Sequence, residues 1–215
     1  MSVAPLSTEE ARVLGTLLEK EATTPEYYPL SLNALVTGCN QKNNREPVVN
    51  YDADTVERAL EGLRQKGFAI FVTGSGRVDK YAQRISETLN LGRRESAVLC
   101  TLLLRGPQTL GEIKGRSERM FAFGELSEAE RTLERLAEWP SGPLVTRLKQ
   151  QPGQKEARYA HLLSGEPVVV ETAQPANTAA SKPSRVDQLE EELGQLRAEL
   201  EQVKQRLENL ESLLR

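Results

Sequence analysis

An internal repeat constrains this chain more than any other feature of its sequence. Three short segments of the first half recur in the second half, in the same order and with slightly different gaps between them. The matching ranges are 12–18 with 97–103, 30–35 with 108–113, and 55–63 with 128–136. Because chance does not readily produce three ordered matches, the repeat indicates two copies of one small domain. We place the first copy at residues 1–85 and the second at residues 86–165.

Each copy has the same predicted order of elements, which is three helices followed by a β-hairpin. In the first copy, Ser7 and Glu10 have the spacing of a capping box, and Asp52 can cap the third helix. Apolar residues at helical spacing continue each helix, and Gly67 ends the third one. The predicted strands of this copy are 68–72 and 80–83, and the second copy has helices near 93–105, 109–117 and 127–138 with strands at 144–148 and 157–162.

Three helices closed by a β-hairpin make a winged helix-turn-helix. The predicted fold class is therefore mostly α with small β-hairpin wings (α+β), arranged as two tandem winged helix-turn-helix domains and a C-terminal coiled-coil helix. Residues 166–184 contain three prolines and many small or polar residues without a regular period. We predict a flexible linker over this range.

The segment 185–215 has the sharpest periodicity in the chain. Its apolar residues alternate between spacings of three and four, which is the heptad pattern of a left-handed coiled coil. The core positions are Val186, Leu189, Leu193, Leu196, Leu200, Val203, Leu207, Leu210 and Leu214. The flanking pairs that a parallel arrangement brings together are opposite in charge, namely Glu192–Arg197, Glu199–Lys204 and Arg206–Glu211. We predict a homo-oligomer, most simply a parallel dimer, while a trimer, a tetramer and a lone amphipathic helix stay open.

Charge and composition argue against several classes of protein. The 28 Lys and Arg residues against 31 Asp and Glu give a net charge of −3, so the chain lacks the overall basic charge of a DNA-coating protein. No apolar run approaches the roughly 20 residues that span a bilayer, and the first residues lack the apolar core of a signal peptide. With only two cysteines, Cys39 and Cys100, these features favour a cytoplasmic protein without a membrane partner.

The sequence offers no arrangement of residues typical of an active site, a metal centre or a cofactor site. The two cysteines lack CxxC spacing and His161 is the only histidine, so we predict neither zinc nor another cofactor. We expect Cys100 in the core, Cys39 at a helix end that could be exposed, and His161 at the edge of a wing. The many carboxylates are expected on solvated helix faces. An enzyme is the function class that the sequence supports least.

Nucleic-acid binding is the usual function of a winged helix, whose third helix carries cationic and amide side chains toward the bases. Here the third helices display many carboxylates, which would repel phosphates, while the loops and wings are richer in cations and amides. The candidate nucleic-acid-binding residues are Lys42, Asn43, Asn44, Arg45, Arg58, Arg77, Lys114, Arg116 and Arg119. A polar loop that satisfies its own backbone would explain residues 39–45 equally well, and burial would explain Phe121 and Phe123.

Several longer stretches resemble the YceH-like family of bacterial proteins. They are residues 17–20 (LLEK), 23–26 (TTPE), 28–31 (YPLS), 39–42 (CNQK), 44–48 (NREPV), 102–106 (LLLRG) and 161–162 (HL). The resemblance covers about residues 6–165 and implies tandem winged-helix domains, a bacterial cytoplasmic setting and, often, a coiled-coil tail. It implies no established activity, substrate or functional residue.

Two functions from different classes are consistent with these features. The first is a non-enzymatic, homodimeric DNA-binding protein with a regulatory or chromosome-associated role, in which dimerisation offsets a modest affinity per domain. The alternative is a protein-interaction scaffold whose winged helices dock partner proteins and bind no nucleic acid. The cationic loops favour the first hypothesis, and the acidic third helices favour the second.

Overall fold

A computed structural model describes residues 5–72, 79–150, 154 and 156–167 of the chain. All of these residues lie in one compact unit, Met1–Val168. Apart from Glu166 and Pro167, the predicted linker at 166–184 lies outside the described residues, as does the predicted coiled coil at 185–215 with its nine core positions. Arg77, on the predicted wing of the first copy, lies outside them too.

The described part of the chain is α+β, with helices and two small antiparallel sheets, and its element order repeats. The first half contains α1 (Thr8–Thr23), a 3-10 turn (Pro25–Tyr27), β1 (Leu30–Ser31), α2 (Leu32–Cys39), α3 (Ala53–Gln65), β2 (Ala69–Val72) and β3 (Lys80–Gln83). The short helix α4 (Ile85–Thr88) leads to the second half. That half contains α5 (Arg93–Arg105), β4 (Gln108–Thr109), α6 (Leu110–Ser117), α7 (Leu126–Ala137), β5 (Val145–Arg147) and β6 (Arg158–His161).

Each half has a three-stranded antiparallel sheet whose last strand lies in the middle, in the orders β1-β3-β2 and β4-β6-β5. The register repeats as well, since Tyr81 of β3 pairs with Leu30 and Phe71, and Tyr159 of β6 pairs with Gln108 and Arg147. The sequence predicted the two hairpins but not β1 and β4, which are only two residues long.

The last residue of each short strand also begins the following helix. Ser31 accepts a hydrogen bond from the backbone N–H of Ala34, and Thr109 accepts one from Glu112. Side-chain oxygens at this position satisfy backbone donors that the helix leaves free. The two copies therefore start their second helix in the same way. The predicted capping box of α1, between Ser7 and Glu10, is also confirmed.

The two copies share one interior because α5 contributes to both cores. Its residues Cys100, Leu103 and Leu104 pack with the buried side chains of the first half, whereas Val98 and Leu99 pack with those of the second half. Among the described elements, α1 and α5 make the most extensive contact. The two copies therefore form one continuous structure.

The α1–α5 contact is centred on two positions that the repeat makes equivalent, Gly15 and Cys100. The Cys100 thiol donates a hydrogen bond to the Gly15 carbonyl oxygen at 3.2 Å. A Cβ atom on Gly15 would lie 2.9 Å from the side chain of Leu104. A side chain at position 15 would therefore crowd Leu103 and Leu104 at this crossing.

A buried hydrogen-bonded pair of polar side chains also repeats between the first and second helices of each copy. The Cys39 thiol lies 3.6 Å from Thr16 Oγ1, and the Ser117 hydroxyl lies 3.2 Å from Thr101 Oγ1. Cys39 is fully buried, so the expectation that its helix end could be exposed was wrong. That end is covered because α2 packs on α1, a tertiary contact that the local sequence does not reveal.

Two further sequence expectations need correction. His161 lies in β6, the central strand of its sheet, and not at a wing edge. Some carboxylates are buried rather than solvated: Glu10 pairs with Lys66 at 2.6 Å, and Glu95 pairs with Arg135 at 3.4 Å. Both glutamates lie in the first turn of their helix, and the cations lie near the end of the third helix of the same copy. These pairs therefore join the first and third helices of each copy.

Within the described residues, no helix combines the length and apolar character that crossing a bilayer requires.

Replacing Gly15 with valine tests the α1–α5 crossing. We expect Gly15→Val to lower the free energy of unfolding by about 1–3 kcal/mol because the new side chain overpacks the contact with Leu104. Gly111→Val is the matched control, since Gly111 is also helical and has open space beside it. Urea denaturation measures both variants. Equal stability of the two would contradict the proposed role of Gly15.

Candidate nucleic-acid interface at the junction of the two halves

The structure brings three of the candidate nucleic-acid-binding residues together at one hollow between the two halves. We call it the junction cleft, and its volume is about 300 Å³. Its lining includes Asn44 from the first half and Arg116 and Arg119 from the second. Arg105, which the sequence analysis did not single out, lines the same cleft. The remaining lining residues are Glu19, Thr23, Thr101, Leu104, Gly115, Glu118 and Met120.

Two helix ends and one loop position these side chains. Arg105 is the last residue of α5, Arg116 lies in the last turn of α6, and Arg119 follows that helix. Asn44 lies in the loop between α2 and α3, with a left-handed φ of 61° that asparagine tolerates better than most residues. Its Oδ1 accepts a hydrogen bond from the Arg105 guanidinium. The cleft therefore exists only where the two halves meet.

The cleft collects positive charge at short range. Partial burial, together with the nearby charges of Arg116 and Arg45, lowers the pKa of Arg105. Arg116 donates a hydrogen bond to Gln108 Oε1 at 2.7 Å and forms an ion pair with Glu112 at 3.2 Å. An anion placed between these guanidinium groups would relieve their mutual repulsion.

Arg119 is the most available cation of the junction cleft. It is exposed, and among the described residues it makes neither an ion pair nor a hydrogen bond. The two acids of the cleft differ in availability, because Glu19 is held by a buried partner whereas Glu118 is exposed. A second hollow of about 450 Å³ shares Arg105 and Arg116 with the cleft and adds Arg158, which pairs with Glu112 at 3.2 Å. Glu46 and Glu112 line this hollow as well. Arg105 and Arg116 therefore line two neighbouring hollows.

Arg45, a candidate from the sequence, lies inside the protein. Its side chain is 0% exposed, and its guanidinium donates to both carboxylate oxygens of Glu19, at 2.6 and 3.3 Å. It also donates to the carbonyl oxygen of Gly38 at 2.9 Å. Arg45 thus anchors the loop between α2 and α3 on α1 and is not free to bind a nucleic acid.

The other described candidates, Lys42, Asn43, Arg58 and Lys114, do not line the cleft. Lys42 and Asn43 are exposed on the same loop as Asn44, and Lys114 is half-buried on α6. Arg58 is exposed but faces the start of α1, where it shares a separate hollow with Ser7, Glu9 and Lys66. Of the candidates from the sequence, the structure therefore brings Asn44, Arg116 and Arg119 together at the cleft and leaves Arg58 apart.

The two phenylalanines that follow Arg119 in the sequence, Phe121 and Phe123, are not free for stacking on bases. Phe123 is buried in the second core, and its ring contacts Phe121 with centroids 4.8 Å apart. Phe121 is half-buried and lies under the Arg94 guanidinium at 5.5 Å. Burial therefore explains both phenylalanines.

The exposed faces of the third helices are acidic, as the sequence predicted. The exposed acids are Asp54, Glu57 and Glu61 on α3, and Glu130, Glu134 and Glu138 on and just after α7. On α3, Arg64 is paired with Glu61 at 2.8 Å, which removes one cation from that face. These helices are unsuited to the negatively charged major groove.

His161 lines a further hollow of about 340 Å³ at the junction, together with Arg12 and Glu46. Its Nδ1 atom is buried without a hydrogen-bond partner. Burial lowers the pKa of His161 to about 4, so the ring is neutral at pH 7. A neutral ring of this kind contributes packing and no positive charge to the junction.

Residues 6–154 match the family described as Protein of unknown function, DUF480. A UPF0502 protein of Solibacter usitatus is 55% identical over 193 residues, which cover 89% of this chain and 92% of that protein. A UPF0502 protein of Pelobacter propionicus is 50% identical over 197 residues, covering 89% and 90%. The UPF0502 protein YceH of Salmonella paratyphi B is 46% identical over 198 residues, covering 89% and 92%. These matches confirm the resemblance to the YceH-like family.

Removing one partner of the buried Glu19–Arg45 pair tests its role in anchoring the loop. Arg45→Met should lower the free energy of unfolding by about 3–5 kcal/mol, because it leaves the buried Glu19 carboxylate without its close partner and with only Lys20 at 3.8 Å. The double variant Glu19→Leu with Arg45→Met should be more stable than Arg45→Met alone. Urea denaturation provides both values, and a double variant no more stable than the single one would refute the pairing argument.

The low pKa of His161 makes stability depend on pH. Between pH 6.5 and 4 the unfolded chain binds a proton that the folded ring excludes, so stability falls as the pH falls through this window. At pH 4.5 the loss from this group should be about 2 kcal/mol relative to pH 7. His161→Gln should lack this component when urea unfolding is compared at the two pH values. The same loss in both proteins would show that His161 is not its source.

Proposed function

We propose that this chain, which belongs to the DUF480 family of bacterial proteins of unknown function, binds double-stranded DNA along its phosphate backbone through the junction cleft. In this proposal the chain is a tandem winged-helix protein with domains at residues 1–85 and 86–165. The repeated order of helix, strand, helix, helix and two strands, with the last strand central, supports the winged-helix assignment.

The observation that carries the proposal is the convergence of Arg105, Arg116 and Arg119 with Asn44 on one cleft. Guanidinium groups bind phosphate oxygens through paired, charge-assisted hydrogen bonds, and amide side chains add neutral ones. Lys42 and Lys114 lie on the elements that form the cleft and have no ion-pair partner among the residues described.

The acidic third helices determine how such a protein would bind. Carboxylates on α3 and α7 disfavour insertion of either helix into the major groove, which is where base sequence is read most fully. Affinity would then come mainly from phosphate contacts and would depend strongly on salt. Low sequence selectivity fits a chromosome-associated role better than recognition of a single operator.

Dimerisation would compensate for modest affinity per chain. The heptads predicted for residues 185–215 would join two chains, and two linked clefts bind one DNA more tightly than one cleft does. The apolar residues of this segment alternate between spacings of three and four residues without a break, as a coiled coil requires, and the flanking charges favour a parallel pair.

Neutralising two arginines of the cleft tests the function. Wild-type protein should bind a labelled DNA duplex at low salt, and Arg116→Gln with Arg119→Gln should weaken binding at least about tenfold. The slope of log affinity against log salt should fall by about 2, because two phosphate contacts are lost. Fluorescence anisotropy over a salt series measures both quantities, and thermal melting checks the fold of the variant.

The control removes the same charge elsewhere. Arg84→Gln with Arg131→Gln neutralises two exposed arginines outside the cleft, and we expect the affinity and salt slope of wild type. Equal weakening by both double variants would indicate a general charge effect and refute the cleft. Absence of binding at low salt, with a partner protein retained at high salt, would favour the scaffold hypothesis instead.

A further inference from the structure

A buried glutamine contacts one of the arginines of the junction cleft. Gln108, in the short strand β4, is 1% exposed, and its side-chain oxygen Oε1 accepts a hydrogen bond from Arg116 Nη1 at 2.7 Å. Burying an amide side chain is costly unless its polar atoms are hydrogen-bonded, so a glutamine in the interior needs a physical reason. Its contact with Arg116 supplies one.

Two backbone carbonyl groups fix the orientation of the Gln108 amide. Its Nε2 donates to Thr101 O at 3.0 Å and to Gly106 O at 3.3 Å. Carbonyl oxygens only accept hydrogen bonds and a guanidinium only donates them, so the amide nitrogen must face the carbonyls and the amide oxygen must face Arg116. Thr101 lies in α5 and Gly106 caps its end. Gln108 therefore ties Arg116 to the helix that packs on α1.

The first copy shows that the fold does not require an amide at this position. Leu30 pairs with Tyr81 in the first sheet, and Gln108 pairs with Tyr159 in the second, so Leu30 and Gln108 occupy equivalent positions. Both side chains are buried. Because leucine fills the position in one copy, packing of the core alone does not explain the glutamine in the other.

The charged residues around Gln108 are also particular to the second copy. Counted from the N-cap of the second helix of each copy, Ala34 is equivalent to Glu112 and Gly38 is equivalent to Arg116. The first copy therefore has neither the glutamine nor the two residues of the neighbouring ion pair. It keeps the helices and the sheet without them, so this group of polar residues is an addition to the shared fold.

Glu112 holds a second nitrogen of the Arg116 guanidinium. Arg116 Nη2 lies 3.2 Å from Glu112 Oε1. Glu112 is itself fixed, because its Oε2 accepts hydrogen bonds from Thr109 N at 2.9 Å and from Arg158 at 3.2 Å. The first copy keeps only the cation of the last strand, as Lys80. With 31% of its side chain exposed, Arg116 is held at two nitrogens and still lines the cleft.

An arginine that is already held binds a phosphate at a lower entropic cost than a mobile one. Ordering a long side chain on binding costs about two- to tenfold in affinity. Arg119 is exposed and has no hydrogen bond or ion pair within the described residues, so it bears this cost in full. For Arg116 much of the ordering is complete in the folded protein.

We propose that Gln108 is a positioning residue that holds the Arg116 guanidinium in place for a DNA phosphate at the junction cleft, an inference that rests on the proposed function. Gln108 carries no charge and, being buried, does not contact the phosphate itself. Its loss should therefore weaken DNA binding without changing the number of phosphate contacts.

Gln108→Leu is the first test, because it installs the residue that fills the equivalent buried position of the first copy. Binding of the labelled duplex should weaken about three- to tenfold, while the slope of log affinity against log salt stays that of wild type, since no cation is lost. Gln108→Met, which keeps the length of the side chain, should behave in the same way. Fluorescence anisotropy measures binding, thermal melting checks the fold, and wild-type affinity in a folded variant would overturn the proposal.

Combining the variants shows whether Gln108 acts through Arg116. In an Arg116→Gln background, Gln108→Leu should cause no further loss of affinity, because the group that it positions is gone. The same three- to tenfold loss in both backgrounds would mean that Gln108 acts by another route, and the positioning role would then be wrong.

Rotation of the Arg116 guanidinium, measured by NMR without DNA, separates this proposal from the proposed function. Loss of its signals in Arg116→Gln assigns them. The rotation should be slow in wild type and faster in Gln108→Leu, whereas that of Arg119 should be fast in both. Equal Arg116 rotation in the two proteins would contradict the positioning role even if DNA binds. A rotation that depends on Gln108, in a protein that does not bind DNA, would refute the proposed function alone.

Discussion

The packing of α1 against α5 is the contact on which the rest of the structure depends. These helices are the first helix of each copy, and they cross at the equivalent positions Gly15 and Cys100. The close approach buries α5 on both sides, so that one helix completes two cores. Without this crossing the first core would lose Cys100, Leu103 and Leu104, and the surfaces between the copies are fixed by it.

The junction cleft is a consequence of that crossing. The loop between α2 and α3 reaches the second copy, where the Glu46 N–H donates to the Leu104 carbonyl oxygen at 2.9 Å. Arg45 holds the same loop to α1 through Glu19. Asn44 is thereby placed beside Arg105 at the end of α5. A buried ion pair in one copy thus positions a polar side chain among the arginines of the other.

The two copies have diverged in charge while keeping one backbone plan. Around the junction, the second copy supplies the arginines that suit phosphate, and its edge strand carries Arg147. The first copy has the apolar residues Ile70 and Phe71 at the corresponding edge. A duplicated fold can assign different ligands to its copies because only the core positions need to stay alike.

Much of the local structure could be predicted from the sequence, because capping residues and apolar spacing act over a few positions. The capping box at Ser7 and the helices of both copies are examples. The burial of Cys39 and Arg45 could not be predicted, since it depends on contacts between elements far apart in the chain. Arg105 was missed for the same reason, because it lies at the end of an apolar helix and gains its role only from the residues that the junction places beside it.

The central claim, that α1 and α5 make the two copies one cooperative unit, can be measured directly during unfolding in urea. Trp139, the only tryptophan, reports on the core of the second copy through its fluorescence, and labelling of the Cys39 thiol, read by mass spectrometry, reports on the first. If the copies unfold together, the two transitions have the same midpoint and slope. Exposure of Cys39 at a urea concentration where Trp139 still reports folded protein would contradict the account.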